Sequence, residues 1–129
     1  MFKYVLIPLL AVFAPVVPVL ITSIVLILID LISGIVAAYK RGEKIESAAL
    51  RRTITKIFVY NSAIITAFLI EKYMLNDSLP ITKIVAGIIG VTEGCSVFEN
   101  LNSIYGMNLF KKILYILGSP NDSKSPNDR

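Results

Sequence analysis

From Tyr4 to Ile29 the chain carries no charged residue, and the apolar character continues past Asp30 as far as Tyr39. No other feature constrains the fold as tightly. A bilayer core accepts about 20 helical residues, so the stretch is too long for one span. "APVVP", Ala14 to Pro18, punctuates it. A proline disfavours helix at the residue before it and lacks a backbone donor. The pattern predicts a short hydrophobic helix over 2–14, a bend, and a full span over 18–39. A signal peptide would have a shorter apolar run of about 7–15 residues, so no cleavage is expected. Composition agrees with burial in lipid: 55% of the 129 residues are hydrophobic and 17% are charged, and the mean hydropathy is +0.72. A soluble domain of this size has too little interior to hide so much apolar surface.

The run ends in "KRGEKIES", a polar connector. Lys40, Arg41, Lys44, Arg51, Arg52 and Lys56 face only Glu43 and Glu46 there, a local excess of four positive charges. Excess Lys and Arg beside a span mark its cytoplasmic side, so the net charge of +4 is read as topology and not as a nucleic-acid surface. Ser47 is a plausible N-cap for a helix over 47–72, amphipathic at first ("AALRRTITK") and then apolar ("IFVYNSAIITAFLI"). "NDSLP" is a turn expected to face outward, with Ser78 capping the next helix and Pro80 in its first turn. That helix is predicted over 79–105 and broken at Gly106. A short amphipathic helix over 108–117 and a disordered polar tail over 118–129 complete the chain. The expected fold is all-α: a small integral membrane bundle with three or four hydrophobic helices, depending on whether the first piece crosses. Residues 1–117 form one membrane domain.

Asp30 is the residue that most needs explaining. A carboxylate near the centre of a span costs at least ~2.5–3.5 kcal/mol on insertion scales, and such residues face other helices or water. Helical spacing groups Asp30 with Ser33, Gly34 and Ala37. Ser33/Ala37 and Gly34/Ala38 are small residues four apart, which lets backbones approach closely. Two readings stay open: a polar group inside an oligomer or pore, or a hydrogen bond or ion pair satisfied within one chain. Ala86, Gly90 and Gly94 form a second small-residue stripe. Glu93, Ser96 and Asn100 form a polar stripe on a neighbouring arc, with Glu99 beside it. Glu93 and Glu99 could each pair with Arg51, Arg52 or Lys56; the pairing is favoured for Glu99, and Glu93 is the better candidate for the alternative, a water-lined surface. Asn61, Ser62 and Thr66 suit interhelical hydrogen bonds. Cys95, the lone cysteine, is expected to be a small buried side chain. With no histidine, no phosphate-binding glycine loop and no nucleophile beside a base, neither catalysis nor a cofactor or metal site is expected.

These motifs carry a resemblance. "LIDLISGIVAAYKRGEKIESAALRRTITKI" is similar to the start of a phage holin family that includes the toxin-secretion and phage-lysis holins. In that family an early apolar helix holds an Asp followed by a Ser/Thr–Gly pair, here Asp30, Ser33 and Gly34, and then a short basic loop. "TEGCSVFENLNSIYGMNLFKKIL" resembles the family's Asn-Glu…Ser-(Ile/Val)-x-Glu-Asn segment at Glu93, Ser96, Glu99 and Asn100, with Thr92 where the family often has Asn. "GEKIES…LRRT" looks most like the branch found in Bacteroidetes phages and prophages. The likeness covers about residues 20–115. It implies a multi-pass protein of the host inner membrane that oligomerises into lesions, through which an endolysin or a toxin passes as cargo. The alternative is a non-lytic membrane scaffold, an antiholin or a small channel.

Overall fold

A computed structural model describes residues 1–45, 47–106 and 109–118. The predicted disordered tail lies almost wholly outside the described residues. Five α-helices follow one another: α1 (Phe2–Phe13), α2 (Val17–Lys40), α3 (Ser47–Leu69, continued by a π-helical turn over Ile70–Met74), α4 (Ile81–Tyr105) and α5 (Leu109–Gly118). No strand occurs among the described residues. Among the described residues three helices are long and apolar enough to cross a membrane: α2, α3 with its π-turn, and α4. The protein is therefore a multi-pass membrane protein. At 12 residues, α1 is only about 18 Å long, short of a hydrocarbon core of about 30 Å.

The bend between α1 and α2 falls where the two prolines predict it. Ala14–Val16 form a turn, and Pro18 sits in the first turn of α2, where its missing N–H costs nothing. Side-chain contacts fix the directions of the spans. Asp30 meets Lys56 and Ser23 meets Asn61, so α2 and α3 run antiparallel. Lys56 meets Glu93 near one end and Glu71 meets Thr82 near the other, so α3 and α4 are antiparallel too. α2 and α4 are then parallel, and their C-terminal ends lie together. Lys40 donates to the Ile104 carbonyl at 2.9 Å. A cation here complements the negative end of the α4 dipole.

Two corrections concern helix ends. Ser78 does not cap α4: its hydroxyl donates back to the Leu75 carbonyl. The cap is tertiary, with the backbone N–H of Thr82 donating to Glu71 Oε2 at 2.6 Å. The turn before α4 instead uses Asn76 and Asp77 in the left-handed region, at φ 47° and 59°, residues that tolerate it better than most. Ser47 is the first residue of α3 and not the residue before it; residue 46 lies outside the described residues.

The packed interior divides in two along the bundle. Towards the start of α2, Val16, Ile64, Phe68 and Ile89 form an apolar core, flanked by Phe13, Val19, Leu20, Tyr60 and Val85. Towards the basic loop the interior is polar. Most other large apolar side chains are exposed, as lipid-facing residues must be.

Candidate functional site

The polar half of the interior is built by one charged residue from each span. Asp30 lies near the middle of α2, Lys56 in the first half of α3 and Glu93 near the middle of α4. Lys56 Nζ is 2.9 Å from Asp30 Oδ2 and 3.0 Å from Glu93 Oε2. One ammonium thus bridges two carboxylates, and the trio is formally anionic if both are ionised. Glu93 is fully buried, and its other oxygen accepts from the Tyr60 hydroxyl at 2.9 Å. Asp30 Oδ1 accepts from Ser96 Oγ at 2.5 Å and from Asn100 Nδ2 at 3.2 Å. Asn100 Nδ2 also reaches Ser33 Oγ at 3.0 Å, and Ser33 donates to the Asp30 carbonyl at 3.0 Å. Every charged oxygen has a donor, which a low-dielectric interior demands.

Six of the residues singled out from the sequence meet at this cluster: Asp30, Ser33, Gly34, Glu93, Ser96 and Asn100. Gly34 lies against Asn100: a Cβ on it would stand 3.5 Å from Asn100 Nδ2, in ordinary van der Waals contact. Ala37, one turn on, is completely buried. Tyr60 was missed by sequence reasoning. Its signal was its place four residues after Lys56 on one helix face. Lys56, counted among the topology-setting charges and among the possible partners of the α4 glutamates, is the centre of the network.

The pairing expected for Glu99 is made by Glu93. Glu99 is exposed and forms no salt bridge among the described residues. Six positions along a helix rotate a side chain by about 240°, so the two glutamates cannot share a face. Cys95 is likewise exposed and not buried, because two positions from Glu93 place it about 160° away round α4. Asn61 does make the expected interhelical bond, accepting from Ser23 Oγ at 3.2 Å. Thr66 bonds only within its own helix, to the Ser62 carbonyl at 2.8 Å.

The second small-residue stripe behaves differently from the first. A Cβ placed on Gly87, Gly90 or Gly94 would meet nothing within 4 Å. Ala86 and Gly90 line a groove of about 230 Å3 against Pro18, Val19, Thr22 and Leu26. Ala86, Gly90 and Gly94 are half-buried, but the glycines leave free space beside them.

The basic loop is in part structural. Arg41 donates to Glu43 through Nε at 2.7 Å and Nη2 at 2.9 Å, and through Nη1 to Ser103 at 2.8 Å. These hydrogen bonds from the guanidinium hold the Glu43 carboxyl below its ordinary range. Lys44, Arg51 and Arg52 are exposed and form no salt bridge among the described residues. No cluster of three or more metal-ligating side chains occurs among the described residues.

Residues 9–118 match the family model described as the bacteriophage holin family. No curated protein and no solved structure matches the chain.

Proposed function

Starting from a chain that belongs to the bacteriophage holin family, we propose that it oligomerises in the host inner membrane and permeabilises it for release of an endolysin or a toxin. The observation that carries this is the open glycine face of α4. Gly87, Gly90 and Gly94 lie in a spanning helix, and a Cβ on any of them would meet nothing within 4 Å. In lipid, small-residue faces are where helices approach closely and associate by packing. A second copy covers the face in this reading, and Ala86, Gly90 and Gly94 are the contact. Asp30, Ser33, Gly34, Ala37, Glu93, Ser96 and Asn100 form the polar interior that assembly would bring next to water, and Glu99 is already at the surface. The basic loop holds the cytoplasmic side.

Expression in a bacterium tests the proposal. The wild type should insert and, after a delay, collapse the membrane potential. Gly90→Leu and Gly94→Leu should reach normal membrane levels, since a Cβ at either position meets nothing within 4 Å, yet delay or abolish the collapse. An intact potential at high wild-type expression would sink the proposal. Unchanged timing in both variants at matched abundance would remove the glycine face from it.

One observation favours a second reading, a non-lytic scaffold or antiholin. The carboxylates of Asp30 and Glu93 are fully satisfied inside one chain, so nothing in the monomer requires them to meet water. Such a protein would crosslink into oligomers while reconstituted vesicles keep their dye. Steady, ion-selective conductance in planar bilayers would instead mark a small channel.

A further inference from the structure

A cleft of about 590 Å3 opens between the loop-proximal ends of α2 and α3. Its floor is the network's edge, Asp30, Lys56 and Asn100, and its mouth carries Arg41, Lys44 and Arg52. The charges at floor and mouth are not equivalent. Lys56 is committed to two carboxylates, and the Arg41 guanidinium is occupied by Glu43 and Ser103. Lys44 and Arg52 have no ionic partner among the described residues. Among the described residues the mouth therefore offers two cations without an ionic partner. α3 begins there, with Ala49 in the lining, so the positive end of its dipole adds to their field.

The walls have a different chemistry. Leu31 and Ile35 of α2 continue the cleft along the span, and Ile45 closes it from the loop. Ile45 is 56% exposed, an apolar side chain among charged neighbours at the end of two spanning helices. Cations at the rim with an apolar wall running into the bilayer match one ligand: a phosphate group that carries acyl chains. Basic pockets between transmembrane helices on the cytoplasmic side bind anionic headgroups in this way. We propose that this cleft seats the headgroup of an anionic phospholipid, with its phosphate against Lys44 and Arg52 and its chain along Leu31 and Ile35. A free inorganic anion would use the rim but leave the apolar wall without a role. The proposal rests on the protein spanning the bilayer and not on its forming lesions.

Native mass spectrometry of the full chain, released from micelles holding equal amounts of phosphatidylglycerol and phosphatidylcholine with identical acyl chains, tests it. The wild type should retain phosphatidylglycerol over phosphatidylcholine by roughly thirtyfold, the scale expected when two cations meet an anionic headgroup. Lys44→Gln with Arg52→Gln should bring the two lipids to near parity. Arg51→Gln, which removes one charge from the same helix end outside the cleft, should keep the preference. Equal retention by the wild type would overturn the proposal without recourse to any variant, and so would a preference that survives the double substitution. Displacement of the lipid by millimolar inorganic phosphate would assign the rim to free phosphate and overturn the lipid assignment. Dye leakage from vesicles of the same lipids keeps the functions apart: lost leakage with intact lipid preference counts against lesion formation alone.

Discussion

At the scale of single residues, the three charges at the centre of the bundle are not interchangeable. Lys56 stands between Asp30 and Glu93, so each carboxylate shares a cation while the lysine has two anions. Removing one carboxylate charge leaves a matched pair; removing the lysine leaves a buried Glu93 and a half-buried Asp30 as anions without their cation. Breaking a buried pair by deleting one partner typically costs about 3–5 kcal/mol. Lys56→Met should therefore lower the thermal midpoint in detergent sharply, or empty the membrane fraction. Asp30→Asn should stay within about 1 kcal/mol of the wild type, because the amide still accepts from Ser96 and Lys56 keeps Glu93. Asp30→Asn combined with Lys56→Met should be less damaging than Lys56→Met alone. Equal loss in Lys56→Met and Asp30→Asn would show that the cluster does not act as a shared-cation network. The exposed pair of Arg41 and Glu43 follows ordinary linkage: the Glu43 carboxyl is lowered in the fold, so its contribution is present above the unfolded value and fades as pH falls through the folded one.

At the scale of elements, α4 is held at both ends by residues distant in sequence or by backbone geometry. Its first turn depends on Glu71 of the preceding π-turn, and its last on Gly106, which adopts φ 63° and donates its N–H to the Asn102 carbonyl at 2.9 Å. An L-residue in that left-handed conformation is disfavoured by roughly 1–2 kcal/mol. Gly106→Ala should thus lower stability by about that amount, with Gly106→Asn intermediate, when thermal midpoints are compared in one detergent. Glu71→Ala should also lower the midpoint, and Glu71→Gln should recover part of the loss because its carbonyl oxygen can still accept from Thr82. Identical midpoints for Gly106→Ala and wild type would mean that α4 does not need this C-terminal turn.

For the whole molecule, parallel α2 and α4 bring the basic end of α2 to the C-terminal end of α4, with the 71–80 turn at the opposite pole. The charge asymmetry between these poles predicts the orientation in the membrane. With Cys95 replaced by Ser, a cysteine introduced between 72 and 78 should react with an impermeant thiol reagent added outside intact cells. One between 41 and 45 should react only after lysis. The reversed pattern would overturn the cytoplasmic assignment of the basic loop. A cysteine at position 3 reports whether α1 crosses as a fourth span.

The sequence by itself determined the architecture. The charge-free run, its proline bend, the basic connector and the glycine break at 106 fixed the hydrophobic helices to within a few residues, because lipid admits few ways of satisfying a backbone. Helical spacing also put Asp30 with Ser33 and Gly34, and Glu93 with Ser96 and Asn100. Spacing says which residues share a face of one helix; it is silent on how helices are rotated against each other. That rotation decided that Glu93 and not Glu99 takes Lys56, that Tyr60 joins it, that Glu71 caps α4 in place of Ser78, and that Cys95 faces outward. It also separated two small-residue stripes that look alike in sequence. A Cβ on Gly34 would touch Asn100 at 3.5 Å, whereas one on Gly90 or Gly94 would meet nothing within 4 Å, because the closeness of approach at each position is set by the packing of neighbouring helices and not by spacing along one helix.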